Sequence, residues 1–420
     1  MTNPNPVLLG AIAALLSVLP WAAAQNPDQL VREGLLALGA GKYAEARDKL
    51  EAVSEVTPED GRIWLALARI YELANNASKA EDSFTKAAAL APQQPEISRT
   101  LAIYFEQLGR FNEAAEWESR FGLARPDDPD TLARTASYYL QANLPAQAVK
   151  FAERALEQRE TGAIHNLLGK SYSEAGRTDD AARALSRSIE LDPYNEEFHY
   201  DRGYAYLRVN RFDEAIAAFD ESRKLFDRSP RIELGAGIAH YATGGYNQAI
   251  EAFLRVSEMS PGDAQPHYFL GQTLLHASGH IDAILRRFDA FRKSQPQNHL
   301  GPFLYARGLV AAMDPTVMEQ AEPLLRESLA LREDFWESHF ALGVWLEATG
   351  RYDEAESSLL RAEALNPNAS KIQEELSRVY THLGKTELAE EATAKSAKFA
   401  GAEQQVLSDS PQAALGAIIE

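Results

Sequence analysis

The strongest constraint on the fold of this chain is an alanine that recurs at a nearly fixed interval along most of its length. These alanines are Ala46, Ala80, Ala114, Ala148, Ala181, Ala215, Ala249, Ala283, Ala321, Ala355 and Ala389. Neighbouring members lie 34 residues apart, except for one interval of 33 and one of 38. A period of this size indicates one supersecondary unit stacked on copies of itself. The sequence therefore predicts a repeat solenoid rather than a globular domain with a single core.

Each period has the pattern of two helices. Apolar residues at helical spacing begin with Ile63, Leu67 and Tyr71, and a second stripe continues with Ala80 and Phe84. Prolines mark the end of the second helix in many copies, at Pro58, Pro92, Pro126, Pro193, Pro261 and Pro367. Residues that tolerate a left-handed backbone stand between the two helices, at Gly109, Asn143, Gly176, Asn210, Gly244, Gly350 and Gly384. The pattern predicts a helix, a tight turn and an antiparallel helix in every unit.

The recurring alanine has a steric explanation in this arrangement. We expect it where the second helix crosses the first, because a larger side chain there would overpack the contact at a cost of roughly 1–3 kcal/mol. Units three, eight and eleven carry Glu118, Arg287 and Thr393 four residues after the alanine, where most units have an apolar side chain. The sequence predicts imperfect packing in these three units.

The repeat resembles the tetratricopeptide repeat family. Its first-helix pattern of tryptophan, leucine, small residue and tyrosine is present as Trp64, Leu67, Ala68 and Tyr71. Its second-helix pattern of alanine followed by a large apolar residue is present as Ala80 and Phe84, Ala215 and Phe219, and Ala249 and Phe253. The resemblance implies an all-α fold, a right-handed superhelical solenoid of antiparallel helix pairs. It implies about eleven repeats over residues 25–400.

The interval of 38 residues interrupts the regular array. It falls between the eighth and ninth repeats, where the segments QPQNHLGP (295–302) and MDPT (313–316) supply the extra residues. Proline and glycine in such segments disfavour continuous helix. We expect a bend or a loosened interface at 295–302.

Both ends of the chain lie outside the predicted solenoid. Residues 7–19 are apolar and uncharged, and the alanines at 22–24 form an A-x-A cleavage signal. This predicts a signal peptide at 1–24, cleavage after Ala24, and a periplasmic or secreted protein. Because a membrane span needs about 20 apolar residues, no membrane insertion is expected after cleavage. The alternative is an apolar helix that caps the first repeat. Residues 401–420 are predicted to form a flexible tail.

The charge of the chain limits its partners. Lys and Arg total 42, Asp and Glu total 61, the net charge is −19, and basic residues form no cluster. Nucleic acid is therefore a poor candidate, because its binding requires a basic surface. Cysteine is absent, which excludes disulfides, thiol catalysis and thiolate metal sites.

No residue set in the sequence indicates an enzyme, a cofactor site or a metal site. The GKS at Gly169–Ser171 lacks the other features of a phosphate-binding loop. His165, His199, His267 and His339 occupy the position that Trp64 has in the second repeat, which favours a packing role. His276 and His280 are a weak alternative as a zinc pair, because a turn separates them and a third ligand is missing.

The resemblance implies that the first helices line a concave groove, with the residues one and five places after the tryptophan position pointing into it. In repeats two to five this predicts a polar lining: Leu65, Arg69, Arg99, Ile103, Ala133, Ser137, Asn166 and Lys170. In repeats six to ten it predicts an apolar and aromatic lining: Tyr200, Tyr204, Leu234, Ile238, Tyr268, Gln272, Tyr305, Leu309, Phe340 and Val344. Concave aromatic surfaces are typical of protein-binding sites. The alternatives are that these residues pack against neighbouring helices or are covered by the tail.

Three function classes follow from these observations. The first is a non-catalytic interaction scaffold of the cell envelope or secreted space that binds an extended peptide or a helix in the groove, in assembly or secretion. The second is an accessory subunit that positions a partner enzyme. The third, which has no residues to support it, is a hydrolase with an unrecognised site.

Overall fold

A computed structural model describes residues 26–409. The predicted signal peptide and residues 410–420 of the predicted tail lie outside this range. Within 26–409 all regular secondary structure is helical, which confirms an all-α helical repeat solenoid. The described residues form two compact units that divide between Pro193 and Tyr194. The sequence analysis did not predict this division.

The first unit contains five helix pairs. They are α1 (Asn26–Gly39) with α2 (Tyr43–Ser54), α3 (Gly61–Leu73) with α4 (Ala77–Leu90), α5 (Pro95–Gln107) with α6 (Phe111–Gly122), α7 (Pro129–Gln141) with α8 (Pro145–Gln158), and α9 (Gly162–Glu174) with α10 (Thr178–Leu191). We number these pairs repeats one to five.

The second unit contains repeats six to eleven. They are α11 (Glu196–Arg208) with α12 (Phe212–Arg223), α13 (Pro230–Ala242) with α14 (Tyr246–Met259), α15 (Ala264–Gln272) with α16 (Ile281–Ser294), α17 (Leu300–Ala311) with α19 (Ala321–Leu331), α20 (Trp336–Ala348) with α21 (Tyr352–Leu365), and α22 (Ser370–His382) with α23 (Thr386–Asp409). A short 3-10 helix (Leu274–His276) follows α15, and a short α18 (Pro315–Met318) precedes α19. The last helix extends nine residues past Ala400, into the predicted tail.

The recurring alanines are buried in ten of the eleven repeats, with no more than 8% of any of them exposed. The exception is Ala283, which is half-buried. The next residue, Ile284, is fully buried in its place. The register of α16 is therefore one residue later than predicted, and Phe288 rather than Arg287 fills the apolar position four residues on. The prediction of imperfect packing at Arg287 was wrong for this reason.

Glycines of the first helices make room for large side chains of the second helices. A Cβ at Gly203 would lie 2.5 Å from the Phe219 ring, and one at Gly237 would lie 2.6 Å from Phe253. Gly343 stands in the same relation to Leu359. A glycine in mid-helix costs about 1 kcal/mol of intrinsic stability, and the close approach of the two helices explains its presence.

The turns follow the predicted chemistry. The backbone is left-handed at all the predicted glycines and asparagines of the turns, and also at Gly41 and Asn75. Repeat nine is different, because Met313 takes the left-handed conformation with a φ of 52°. The six prolines predicted to end second helices all lie in the linkers between repeats.

Capping side chains fix where several first helices begin. Asp60 accepts a hydrogen bond from the Arg62 backbone N–H at 3.0 Å, and Asp128 accepts one from Thr131 N–H at 3.1 Å. Ser229 caps α13 in the same way through Ile232 N–H, at 3.3 Å. These caps satisfy backbone donors that a helix start leaves free.

The two units have different cores. In the second unit the buried apolar side chains form one continuous cluster from Leu207 to Ala392. In the described part of the first unit they form five separate clusters. One charged side chain is fully buried in the described part of the first unit: Glu118 of α6, whose Oε1 lies 3.3 Å from Arg134 Nε. This is one of the three positions where the sequence predicts imperfect packing.

The extra residues of the 38-residue interval lie mainly inside repeat nine. The turn between paired helices is three residues long in repeat one (40–42) but nine residues long between α17 and α19 (312–320). The linker before α17, 295–299, has an ordinary length of five residues. A bend at 295–302 stays a prediction.

Tyrosine–carboxylate hydrogen bonds connect successive first helices in the first unit. Tyr138 of α7 donates its hydroxyl to Glu106 of α5 at 2.7 Å, and Tyr104 donates to Glu72 one repeat earlier. Burial, followed by the bond to Glu106, raises the pKa of Tyr138. The hydroxyl therefore stays a donor throughout the neutral range.

We expect Tyr138→Phe to lower the free energy of unfolding by about 1 kcal/mol. Hydrogen bonds to charged groups contribute about 1.5–3 kcal/mol to stability. The expected loss of stability is at or below the lower end of this range, because Glu106 is exposed and is hydrated once the bond is removed. Urea unfolding monitored by circular dichroism measures the change. Tyr194→Phe, at an 80% exposed tyrosine, is the control. Equal stability of Tyr138→Phe and wild type would show that the bond contributes nothing.

Candidate binding face

All the residues predicted to line the groove lie on first helices, and the surface that the first helices form within each unit is here called the first-helix face. In the first unit the basic residues of this face interact with other parts of the protein. Arg69 forms an ion pair with Glu72 at 3.1 Å, and the Arg99 guanidinium lies 4.9 Å from the centre of the Phe121 ring. Asn166 is 5% exposed, and Lys170 is half-buried. Leu65 belongs to the core.

At the start of the second unit two predicted tyrosines form an aromatic surface. Tyr200 and Tyr204 of α11 stack with ring centres 5.6 Å apart. Arg231 of α13 places its guanidinium 3.9 Å from the centre of the Tyr200 ring. Both tyrosines are partly exposed. Burial raises the pKa of Tyr200, so its hydroxyl is neutral at ordinary pH.

Three predicted groove residues point elsewhere. Ile238 and Leu309 are buried in the continuous core, with 5% and 3% exposed. Tyr305 is half-buried with its ring 5.5 Å from the Arg292 guanidinium of α16, so it faces the second helix of the preceding repeat. Leu234 is half-buried and packs against the same core. The prediction that Ile238 and Leu309 are exposed to a partner was wrong.

The other predicted residues of the second unit meet at one cavity of about 470 Å³. Tyr268 and Gln272 of α15 form one side, and Phe340 and Val344 of α20 form another. The other residues of the cavity wall were not predicted from the sequence. They include Phe303, Ala306, Arg307, Val310, Met318, Leu325, Trp336, Glu337, Trp345 and Lys371. Cavities of this size and apolar character are typical of ligand sites.

The cavity results from the irregular ninth repeat. In repeats six, seven and ten the glycine of the first helix contacts the large side chain of its own second helix. In repeat nine Gly308 instead faces Leu285 and Phe288 of α16. Leu325 of α19 and Met318 of α18 therefore reach the cavity wall. The long turn thus contributes Met318 to the cavity wall, beside residues of repeats eight and ten.

Several charged and polar side chains interrupt the apolar wall of the cavity. Arg307 is half-buried, with its guanidinium 5.5 Å from the centre of the Phe303 ring, and burial lowers its pKa. Burial raises the pKa of Glu337. Burial raises the pKa of Tyr268, and the negative charge of Glu337 raises it further. A hydrogen bond with Gln272 lowers the pKa of Tyr268. Lys371 Nζ lies 4.7 Å from the centre of the Trp336 ring.

The histidines at the tryptophan position mainly pack. His199 and His267 are each 1% exposed. His267 Nδ1 lies 2.7 Å from the Asp263 carbonyl, and its ring stacks on Phe291 at 4.4 Å. His276 stacks on Tyr246, while His280 directly precedes α16. Within residues 26–409 no group of three or more His, Cys, Asp or Glu side chains is placed to hold a metal ion.

The GKS segment lies inside α9. A Cβ at Gly169 would lie 2.5 Å from Leu185 of α10, so this glycine serves helix packing. In the part of the chain that the structure describes, no helix is both long and apolar enough to cross a membrane.

Family models match the chain over several segments. A model described as tetratricopeptide repeat matches residues 31–95, 166–230 and 234–299, and a second model with the same description matches residues 336–369. These segments together include more than half of the chain. No curated protein matches the chain.

Several solved structures are similar to the chain. Yeast Tom70 is 16% identical over 92% of this chain and 98% of its own, with a TM-score of 0.39. A chain of the APC/C hetero-tetramer Cut9–Hcn1 is 15% identical over 94% and 96%, with a TM-score of 0.41. The C-terminal part of a TPR repeat-containing protein from Cytophaga hutchinsonii is 16% identical over 66% and 98%, with a TM-score of 0.43.

Proposed function

Because the chain belongs to the tetratricopeptide repeat family, we propose that it is a non-catalytic interaction scaffold whose second unit binds an extended peptide or a helix. The observation that carries this proposal is the aromatic character of the first-helix face in that unit. The partly exposed aromatic side chains there are Tyr200, Tyr204, Tyr268, Trp336 and Phe340. Aromatic residues of this kind dominate the binding energy of protein interfaces, because they bury a large area at a small entropic cost.

The first-helix residues of the first unit support the assignment of the partner surface to the second unit. Its basic first-helix residues Arg69 and Arg99 already interact with Glu72 and Phe121. Exposed ion pairs contribute little free energy, whereas aromatic residues contribute much of the binding energy at interfaces. The partner surface in this proposal is therefore the first-helix face of repeats six to ten.

We also propose that the scaffold acts in the cell envelope or secreted space. This rests on the apolar run at 7–19 and the A-x-A signal at 22–24. N-terminal sequencing of the protein purified from its native host tests it, and we expect the mature chain to begin at Gln25. An intact Met1 in the cytosol would contradict export.

Site-specific photo-crosslinking tests the partner surface. A photoreactive amino acid at Phe340 is expected to crosslink a protein partner in cells. The matched control is the same substitution at Leu360, which is 40% exposed on the second helix of the same repeat. Addition of Tyr200→Ala and Tyr204→Ala to the Phe340 probe should reduce the crosslinked product at least tenfold, since each hot-spot residue contributes about 2 kcal/mol or more.

Two outcomes would contradict the proposal. One is equal crosslinking of the same proteins from positions 340 and 360. The other is an undiminished product in the Tyr200→Ala, Tyr204→Ala background with the protein still folded. A single enzyme as the only product would instead support the accessory-subunit alternative.

A further inference from the structure

The cavity of the second unit contains a cation, Arg307, that has no oppositely charged partner among the described residues. Arg307 donates no side-chain hydrogen bond and forms no ion pair with any residue between 26 and 409. Tyr268 and Glu337, which also line the cavity, act on it only through charge and form no hydrogen bond or ion pair with it. A guanidinium keeps its charge in proteins, and an uncompensated charge in an apolar site is costly. Arg307 can therefore bind an anionic group of a ligand.

The remaining charges of the cavity favour the same sign of ligand. Lys371 adds a second cation, with Nζ 4.7 Å from the Trp336 ring centre and 5.4 Å from that of Phe340. Glu337 is the one acidic residue of the wall. Two cations and one carboxylate give a net positive charge inside a protein whose net charge is −19. This charge complementarity selects a ligand with a single negative group.

The rest of the wall selects an apolar body. Apart from Tyr268, Gln272 and the three charged residues, all of its side chains are apolar or aromatic. The backbone of the surrounding helices is already hydrogen-bonded within the helices. Every residue of an extended peptide carries a donor and an acceptor, and inside the cavity few groups of the wall can satisfy them, whereas a peptide on the outer part of the first-helix face keeps these groups in water. A hydrocarbon chain has no such requirement.

We propose that this cavity binds an apolar monocarboxylate of the fatty-acid class, with the carboxylate on Arg307 and the chain against Trp336, Phe340 and Val344. The size agrees with this assignment. If each heavy atom occupies the roughly 30 Å³ of a water molecule in the liquid, a ten-carbon acid fills on the order of 350 Å³, within the cavity of about 470 Å³. This activity goes beyond the scaffold function. It shares Trp336 and Phe340 with the proposed partner surface, but the titration below uses the purified protein alone, so its failure is distinguishable from a failure of the crosslinking test.

Titration of the purified full-length protein with decanoate, decanol and decylamine at monomeric concentrations tests the site. Trp336 and Trp345 line the cavity, so tryptophan fluorescence reports binding, and calorimetry gives the stoichiometry. We expect one decanoate per chain, bound at least tenfold more tightly than decanol, and weaker binding of decylamine.

Arg307→Met should weaken the binding of decanoate about 10- to 100-fold, as loss of a charge-assisted hydrogen bond predicts, and should leave the binding of decanol nearly unchanged. Arg361→Met, at an exposed arginine of α21, is the matched control and should not change either affinity.

A second variant tests the cavity without changing Arg307. Val344→Trp places a bulky ring in the space that the chain occupies and should abolish decanoate binding, while circular dichroism confirms the helical fold. The proposal is overturned by equal affinity for decanoate and decanol, by unchanged binding in Arg307→Met, or by unchanged binding in a folded Val344→Trp. Tighter binding of N-acetyl-Leu-Phe than of decanoate would also overturn it, in favour of a peptide carboxylate.

Discussion

Replacement of Phe219 by alanine is expected to lower the free energy of unfolding of the second unit by about 3–5 kcal/mol, the usual cost of emptying a fully buried phenylalanine site. The Phe219 ring is 0% exposed. It lies between glycines of two successive first helices, and a Cβ at Gly203 would come within 2.5 Å of it. Gly235 of α13 approaches the ring from the other side. One side chain therefore joins repeats six and seven.

Urea unfolding measured by circular dichroism checks this expectation. Leu360→Ala, at a 40% exposed leucine of α21, is the control and should cost far less, since a large part of that side chain is already in water. Gly235→Ala is expected to destabilise the wild type by about 1–3 kcal/mol through overpacking. It should cost less in a Phe219→Leu background, where the ring is gone. Equal losses in Phe219→Ala and Leu360→Ala would show that the ring does not hold the two repeats together.

Replacement of Glu118 by leucine is expected to raise the free energy of unfolding of the first unit by about 1–4 kcal/mol at neutral pH, as found when buried ion pairs are replaced by apolar residues. Glu118 is fully buried, and its two carboxylate oxygens lack hydrogen bonds from the described residues. Burial raises its pKa, and the charges of Arg134 and Arg99 offset this only in part. Both arginines are partly exposed, so they regain water in the variant.

The pKa of Glu118 also gives the sign of a pH dependence. A carboxyl group whose pKa is higher in the folded than in the unfolded protein binds more protons in the folded state above its ordinary pKa of 4.5. The free energy of unfolding of the wild type therefore falls as the pH rises through this interval. The advantage of Glu118→Leu should be small near about pH 4 and largest near about pH 7.

Unfolding of both proteins across this pH range measures the difference. The control is Glu116→Leu, which removes the same charge from an exposed site on the same helix and should change stability by no more than about 0.5 kcal/mol. A Glu118→Leu protein less stable than wild type at neutral pH would show that the pair with Arg134 more than offsets the burial of the carboxylate.

The repeat architecture was predictable because its signals are local and recur. The turn residues Gly109 and Asn143 have the left-handed backbone that their side chains favour, and the alanines lie at the helix crossings. The shift at Ile284 was not predictable in the same way. Ala283 and Ile284 are adjacent, and either residue fits an apolar position, so only the packing of α16 decides between them.

The candidate binding face was predicted less well, for a related reason. In the helices α17 and α20 apolar residues occur on nearly every side, so periodicity does not show which side faces a partner. The fixed offsets lead to Tyr268 and Phe340, which line the cavity. They also lead to Ile238 and Leu309, which are buried in the core. Arg307 was missed because a single arginine gives no repeating signal.

The nine-residue turn between α17 and α19 shows how such an array can gain a new property without a new fold. In a solenoid each repeat contacts mainly its immediate neighbours, so an insertion in one turn disturbs one layer and leaves the others intact. Here the long turn supplies Met318 to a cavity whose other walls come from repeats eight, nine and ten. In proteins of this design, variation in loop length is a route to chemical diversity that leaves the pattern of the remaining repeats unchanged.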